Sequence, residues 1–337
     1  MNVPAYNLVE TTADRPSTGN GGPIGQRIWR TGALASAIWL VIAGLTMRWP
    51  DAGDVGPTAI LGFGMAAIGI GLLVASAANS YVDLSQLSRT GPWTIALALL
   101  LACWELVTAK LDLLPRPFFV SPQSLIKVYV DDWQRLADCT RHSLALLVTG
   151  YATGAVLGFL CGVAIGWWRS ASYWMQPLLR FVGPVPAVAW LPIAFFVFPS
   201  SWSAAVFLIA LATGFPVTVL TWSGIASVNA AYYDVARTLG ARPAFLILRV
   251  AIPAALPSVF IGLFMGLGAS FSVLVVAEMM GVRAGLGWYI SWAQGWAAYA
   301  NMYAALFLIA LMCSSVMRLL FRLRHHLLGW QQGLLRW

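Results

Sequence analysis

Side chains able to break or form bonds are few in this chain. Its three histidines, His142, His325 and His326, stand in no HExxH arrangement, and no GxSxG turn presents a serine. The four cysteines, Cys103, Cys139, Cys161 and Cys313, form no CxxC or CxxH pair. Three of them lie inside apolar runs, so they read as small packing residues with neither a disulfide nor a metal site implied. A phosphate-binding loop needs G-x4-G-K-[ST], yet the only two lysines, Lys110 and Lys127, follow Ala109 and Ile126. The chain is therefore expected to be no enzyme: it has no catalytic residue, no metal ligand and no bound cofactor.

Two carboxylates and two sets of backbone-altering residues say more. Glu105 and Glu278 fall in or at the ends of apolar stretches. An ionised side chain at mid-bilayer costs about 2.5–3.5 kcal/mol on insertion scales, so each must face protein or water. Glu105 is placed to pair with Lys110, and Glu278 is a candidate for an outer gate or a contact with a partner. Gly154, Gly158, Gly162 and Gly166 recur every four residues along one helix face, and Gly262 and Gly266 repeat the spacing. Small residues let helix backbones approach closely in lipid; lining a pore is the other reading. Pro184, Pro186 and Pro192 crowd the stretch from Phe181 to Pro199. Each removes a backbone donor, so the stretch is either kinked for packing or opened around a bound solute.

The elements that hold these residues follow from composition. Of 337 residues, 60% are hydrophobic and 9% charged, and the mean hydropathy is +0.77; soluble domains carry about 25% charged residues. Lipid is the main solvent, and the fold class is all-α and polytopic. Stretches of about 20 apolar residues occur at roughly 31–49, 57–78, 93–111, 141–168, 178–198, 203–226, 255–280 and 301–321. The net charge of +8 does not indicate nucleic acid, because the 20 basic residues form no stripe alternating with aromatics.

Basic residues accumulate instead in loops that stay cytoplasmic. Arg15, Arg27, Arg30, Arg89, Arg169, Arg237, Arg242, Arg249, Arg318, Arg322, Arg324 and Arg336 fall on one side. The other side mixes Arg48, Arg116, Lys127, Arg135, Arg141 and Arg283 with six aspartates. Both termini are expected in the cytoplasm, in a multi-pass protein of the inner (plasma) membrane. Residues 1–26 are polar and read as a flexible tail without a cleavable signal peptide. The outer loop at 112–140 should lie on the membrane surface as a short helix starting near Ser121-Pro122, and Trp288, Trp292 and Trp296 should join an interfacial belt.

The inner loop from 227 to 254 carries the most local information. Tyr232, Val235, Ala236 and Leu239 make one apolar helical face, with Tyr233, Asp234, Arg237 and Thr238 turned away. Gly240 suits the left-handed position that ends a helix, and Pro243 the first turn of the next. Two short helices around a sharp turn are expected, with Pro253 and Pro257 separating the second from the following span. Such an element is either a knob gripped in a partner's groove or an amphipathic linker on the lipid surface.

At these residues the chain resembles the transmembrane subunits of binding-protein-dependent ABC importers, whose loop reads E-A-A-x3-G-x9-I-x-L-P. Here Asp234-Val235-Ala236 is followed by three residues, Gly240, nine residues and Val250-Ala251-Ile252-Pro253. The resemblance runs from about Pro92 to Gly329 and is strongest to permeases for nitrate, sulfonates and taurine. It includes Gly183-Pro184-Val185-Pro186, Ala277-Glu278-Met279-Met280-Gly281 and Gly285-Leu286-Gly287.

The resemblance implies a six-helix type I permease core with an N-terminal two-helix extension. The domains are then a tail at 1–30, an extra hairpin and linker at 31–91, a permease domain at 92–329 with its coupling loop at 227–254, and a tail at 330–337. It also implies a homodimer, ATPase subunits that carry the ATP and Mg, and a periplasmic substrate-binding protein that delivers a small anion. An ion-coupled secondary transporter is the alternative, although neither an internal repeat nor a central acid supports it.

Overall fold

The structure, a computed structural model, describes residues 29–53, 56–78 and 90–329. Of the tail expected at 1–30, residues 1–28 lie outside the described residues and Arg30 already begins a helix; the tail expected at 330–337 lies wholly outside them. Seven described helices are long and apolar enough to cross a membrane, or eight if one bent pair counts as a single span.

The chain divides into two compact units. The first holds α1 (Arg30–Arg48), most of α2 (Thr58–Ala78) and α3 (Gly91–Glu105) as far as Cys103. Its core is Trp39, Ala43, Met65 and Ala98. Trp39 Nε1 donates to the Thr94 carbonyl at 3.1 Å, and Ser36 Oγ to the Gly69 carbonyl at 2.7 Å. Both polar side chains thus satisfy themselves on neighbouring backbone, as an apolar solvent demands.

The second unit holds residues 51–58 and everything from Trp104 onward. It contains α4 (Pro122–Asp131), α5 (Trp133–Trp167), α6 (Arg169–Val182), α7 (Leu191–Val197), α8 (Ser201–Ala226), α9 (Ala230–Thr238), α10 (Ile252–Met280), α11 (Leu286–Gly295) and α12 (Tyr299–Leu327). α8 packs along both α5 and α10. A buried polar cluster ties residues 51–58 to the π-helical turn Leu106–Lys110. Lys110 Nζ lies 2.7 Å from Asp51 and 3.7 Å from Glu105, and Gln123 Nε2 donates to Glu105 at 3.0 Å. The expected pairing of Glu105 with Lys110 is present, but Asp51 is the nearer partner.

One expectation is sharpened and two are corrected. The kink expected within 178–198 is a full break: α6 and the segment Ala187–Val197 meet at 89°, because Pro184 and Pro186 after Gly183 cannot continue the ladder. The surface loop at 112–140 shortens, since α4 ends at Asp131 and α5, 35 residues long, already begins at Trp133. Pro253 and Pro257 do not separate a second short helix from the span. Pro243–Met280 is one 38-residue helix whose π-turn Leu246–Ala251 widens just before Pro253, where the missing donor falls.

Candidate functional site

The motif residues of the 227–254 loop form an elbow standing out from the unit. Asn229 caps α9 by accepting from the Ala231 N–H at 3.0 Å. At the other end Gly240 adopts φ +82°, the Gly240 N–H donates to the Arg237 carbonyl at 2.9 Å, and the Ala241 N–H to the Ala236 carbonyl at 3.0 Å. This paired Schellman closure fixes the angle at which the chain leaves α9. Pro243 then opens the next helix.

Tyr232, Val235 and Leu239 are 64%, 61% and 83% exposed, so the apolar stripe faces outward rather than into the unit. Ala236 is half-buried, and Tyr233, expected to turn away, anchors the elbow edge-on against Trp167 at 5.9 Å. Burial there pushes the Tyr233 phenol above its ordinary pKa. Tyr233, Ile247 and Ile252 pack on Val163, Ile225, Ala251 and Ala255, which roots the elbow on α5, α8 and α10 together. Val250 and Pro253 are half-buried beside that cluster. Asp234 lies 3.6 Å from Arg237 on the exposed surface. Beside the elbow, Leu239, Gly240, Phe245, Leu248 and Arg249 line a groove of about 610 Å³.

A second feature lies at the break between α6 and α7. Val182, Gly183, Val185 and Pro186 line a cavity of about 320 Å³ with Leu211, Phe215 and Pro216 of α8 and Ala269 and Ser272 of α10. Pro184 is exposed beside this break, and Pro192 sits in the first turn of α7, where its missing N–H costs no helical bond.

The glycine stripe faces α8. A side-chain carbon on Gly154 would meet the Ala210 carbonyl oxygen at 2.4 Å, on Gly158 the Gly214 carbonyl oxygen at 2.6 Å, on Gly162 Thr221 Cβ at 2.6 Å and on Gly166 Ile225 Cβ at 2.9 Å. A side-chain carbon on Gly262 or Gly266 of α10 would meet the α8 backbone at 3.0 Å.

Glu278 is only 1% exposed. Its Oε2 accepts from Ser143 Oγ at 2.9 Å and from the Gly287 N–H at 2.8 Å, while Ser143 Oγ accepts from the Leu286 N–H at 2.8 Å. The carboxylate thus caps the start of α11, where helical N–H groups lack partners. A surface contact with a partner is closed to it in this arrangement.

Sequence reasoning missed two features. The Arg135 guanidinium lies 5.4 and 4.1 Å from the rings of Trp288 and Trp292, a cation–π cluster that the spacing of the tryptophans alone did not announce; Trp296 is exposed. Tyr289 beneath them donates to Asp132 at 2.7 Å, and burial raises its phenol pKa. Arg180 was overlooked although it falls inside the 178–198 stretch, where a single intramembrane charge is itself the signal.

Residues 154–328, just over half the chain, match the model of the family "Binding-protein-dependent transport system inner membrane component". A probable ABC transporter permease protein of Brucella abortus is 28% identical over 74% of this chain and 98% of its own length. The nitrate import permease protein NrtB of Synechococcus elongatus is 28% identical over 63% of this chain and 79% of its own. The bicarbonate transport system permease protein CmpB of the same organism is 30% identical over 47% and 55%.

Proposed function

The chain belongs to the family of binding-protein-dependent transport system inner membrane components, a multi-pass permease of the ABC-importer type, and from that premise we propose that it passes a small anion through the membrane under the drive of a separate ATPase. The relatives named for nitrate and bicarbonate support the anion class; sulfonates belong to the same class, and taurine carries the same sulfonate group. In this reading two copies of the chain enclose the pathway. A periplasmic binding protein delivers the solute, and two ATPase subunits hold ATP and Mg on the cytoplasmic side, where both termini lie.

The observation that carries the reading is the elbow. Tyr232, Val235 and Leu239 expose an apolar stripe on a helix locked at both ends, a form suited to a partner's groove. Its roots lie on α5, α8 and α10, so a push on Asp234–Gly240 bears on the membrane helices, and α8 and α10 also line the cavity at the α6–α7 break. An ion-coupled mechanism loses its ground with the family match.

The test is Gly240→Val. A β-branched residue at φ +82° is strained by about 1–2 kcal/mol, enough to swing the elbow while the membrane helices stay folded. Membrane insertion is expected to be normal, with ATP-driven uptake lost and ATPase activity no longer stimulated by loaded binding protein. Unchanged uptake, or a purified complex without any ATPase, contradicts the reading.

A further inference from the structure

Arg180 stands where a cation is least welcome. It occupies the last turn of α6, three residues before Gly183. Gly183 lies against the Phe215 ring, which a side-chain carbon there would meet at 2.3 Å, and Phe215 sits near the middle of α8, Ser201–Ala226. The cavity that Gly183 shares with α8 also reaches Ala269 and Ser272 of α10. Three helical residues add at most about 5 Å along the axis, so in a bilayer centred on α8 Arg180 falls inside the ~30 Å hydrocarbon layer. Arg169, at the start of α6, is about 16 Å away along that axis.

Arg180 is exposed in the isolated protomer, and among the described residues no acid forms an ion pair with it. A guanidinium at that depth is stable only against water, protein or a counter-charge. The helix itself separates these environments. Ser172 and Gln176, hydrogen-bonded at 2.6 Å, lead at four-residue spacing to Arg180, whereas Trp174, Leu178 and Phe181 cover the opposite, apolar side.

Building on the anion-importer reading, we infer that Arg180 lines the solute pathway beside the α6–α7 break and holds the charge of a small oxyanion in transit. The planar fork of a guanidinium fits two oxygens of nitrate, bicarbonate or a sulfonate at once, which a lysine cannot reproduce. Ser272 on the cavity wall adds a hydroxyl donor. Selection by the binding protein is then followed by a second check on charge within the membrane.

The test uses the whole transporter, permease with ATPase and binding protein, in membrane vesicles. With the four native cysteines replaced, Arg180→Cys is expected to react with a membrane-impermeant anionic methanethiosulfonate at least tenfold faster than Phe181→Cys on the apolar side. Equal rates overturn the inference. ATP-driven uptake of nitrate and of bicarbonate is expected to fall at least tenfold in Arg180→Gln, with Arg180→Lys between the two and insertion unaltered. Full-rate uptake by Arg180→Gln also overturns it. If the unaltered transporter moves no anion at all, the importer reading fails, while the labelling rates still decide whether this side chain faces water.

Discussion

Glu278 is an acid in a membrane-crossing helix that earns its place through backbone partners rather than a counter-ion. Removing it as Glu278→Ala strands the Gly287 N–H and the Ser143 hydroxyl in a buried site, at about 1–3 kcal/mol for each unsatisfied group. Glu278→Gln keeps an oxygen to accept from Gly287 and should cost markedly less. Thermal unfolding of the detergent-purified permease checks the order: alanine below glutamine below the unaltered chain. Gly285→Ala should destabilise by a similar amount to Glu278→Ala, because Gly285 has φ +103° and a side-chain carbon there would lie 2.3 Å from the Glu278 carboxyl carbon. The apolar residues around Glu278 required only that it face protein or water, and its near-complete burial is the structure's own finding. Its partner was not legible either, since Ser143 is 135 positions away in the chain.

Among the elements, the α5–α8 seam depends on glycine more strictly than spacing alone implies. At Gly154 even a methyl group meets backbone, the Ala210 carbonyl oxygen at 2.4 Å and Ala210 Cα at 2.8 Å. Gly154→Ala must push the helices apart and lose contacts along the seam. Gly268→Ala, in α10, meets nothing within 4 Å and should be neutral. The same unfolding measurement separates the two, with a loss of about 1–3 kcal/mol expected for overpacking at Gly154 alone. The four-residue repeat was plain in the sequence; which helix it approaches was not. At the elbow, Gly240 and Pro243 signalled the turn, but the continuity of Pro243–Met280 through a π-turn overrode the reading of Pro253 as a separator.

For the molecule as a whole, Asp51 gives residues 51–58 a structural task within the second unit. Lys110 is buried in the π-helical turn with Asp51 at 2.7 Å. The Ala52 N–H donates to the Ala109 carbonyl at 2.9 Å, and Arg116 donates to the Ala52 carbonyl at 3.3 Å. A chain beginning at residue 90 keeps Glu105 but loses Asp51, and breaking a buried pair from one side costs about 3–5 kcal/mol. Such a truncation should insert yet unfold at a lower temperature, and Lys110→Met should recover part of the loss. No change on truncation, measured by thermal aggregation in detergent, shows the cluster to be dispensable. The apolar stretches at 31–49 and 57–78 were visible in the sequence, whereas the pairing of Asp51 with Lys110 was not.

Hydropathy, turn chemistry and motif spacing were enough to establish a lipid-solvated all-α chain, its apolar segments, the caps at Ser121 and Gly240, and the absence of any phosphate-binding loop. These properties depend on composition and on residues a few positions apart, so they survive in one dimension. The tertiary structure alone decided that Glu278 caps α11, that Tyr233 rather than the apolar stripe anchors the elbow, that the proline-rich stretch bends by 89°, and that Gly183, three residues after Arg180, lies against Phe215. Each depends on groups far apart in the chain meeting at close packing, and a linear pattern does not contain those distances.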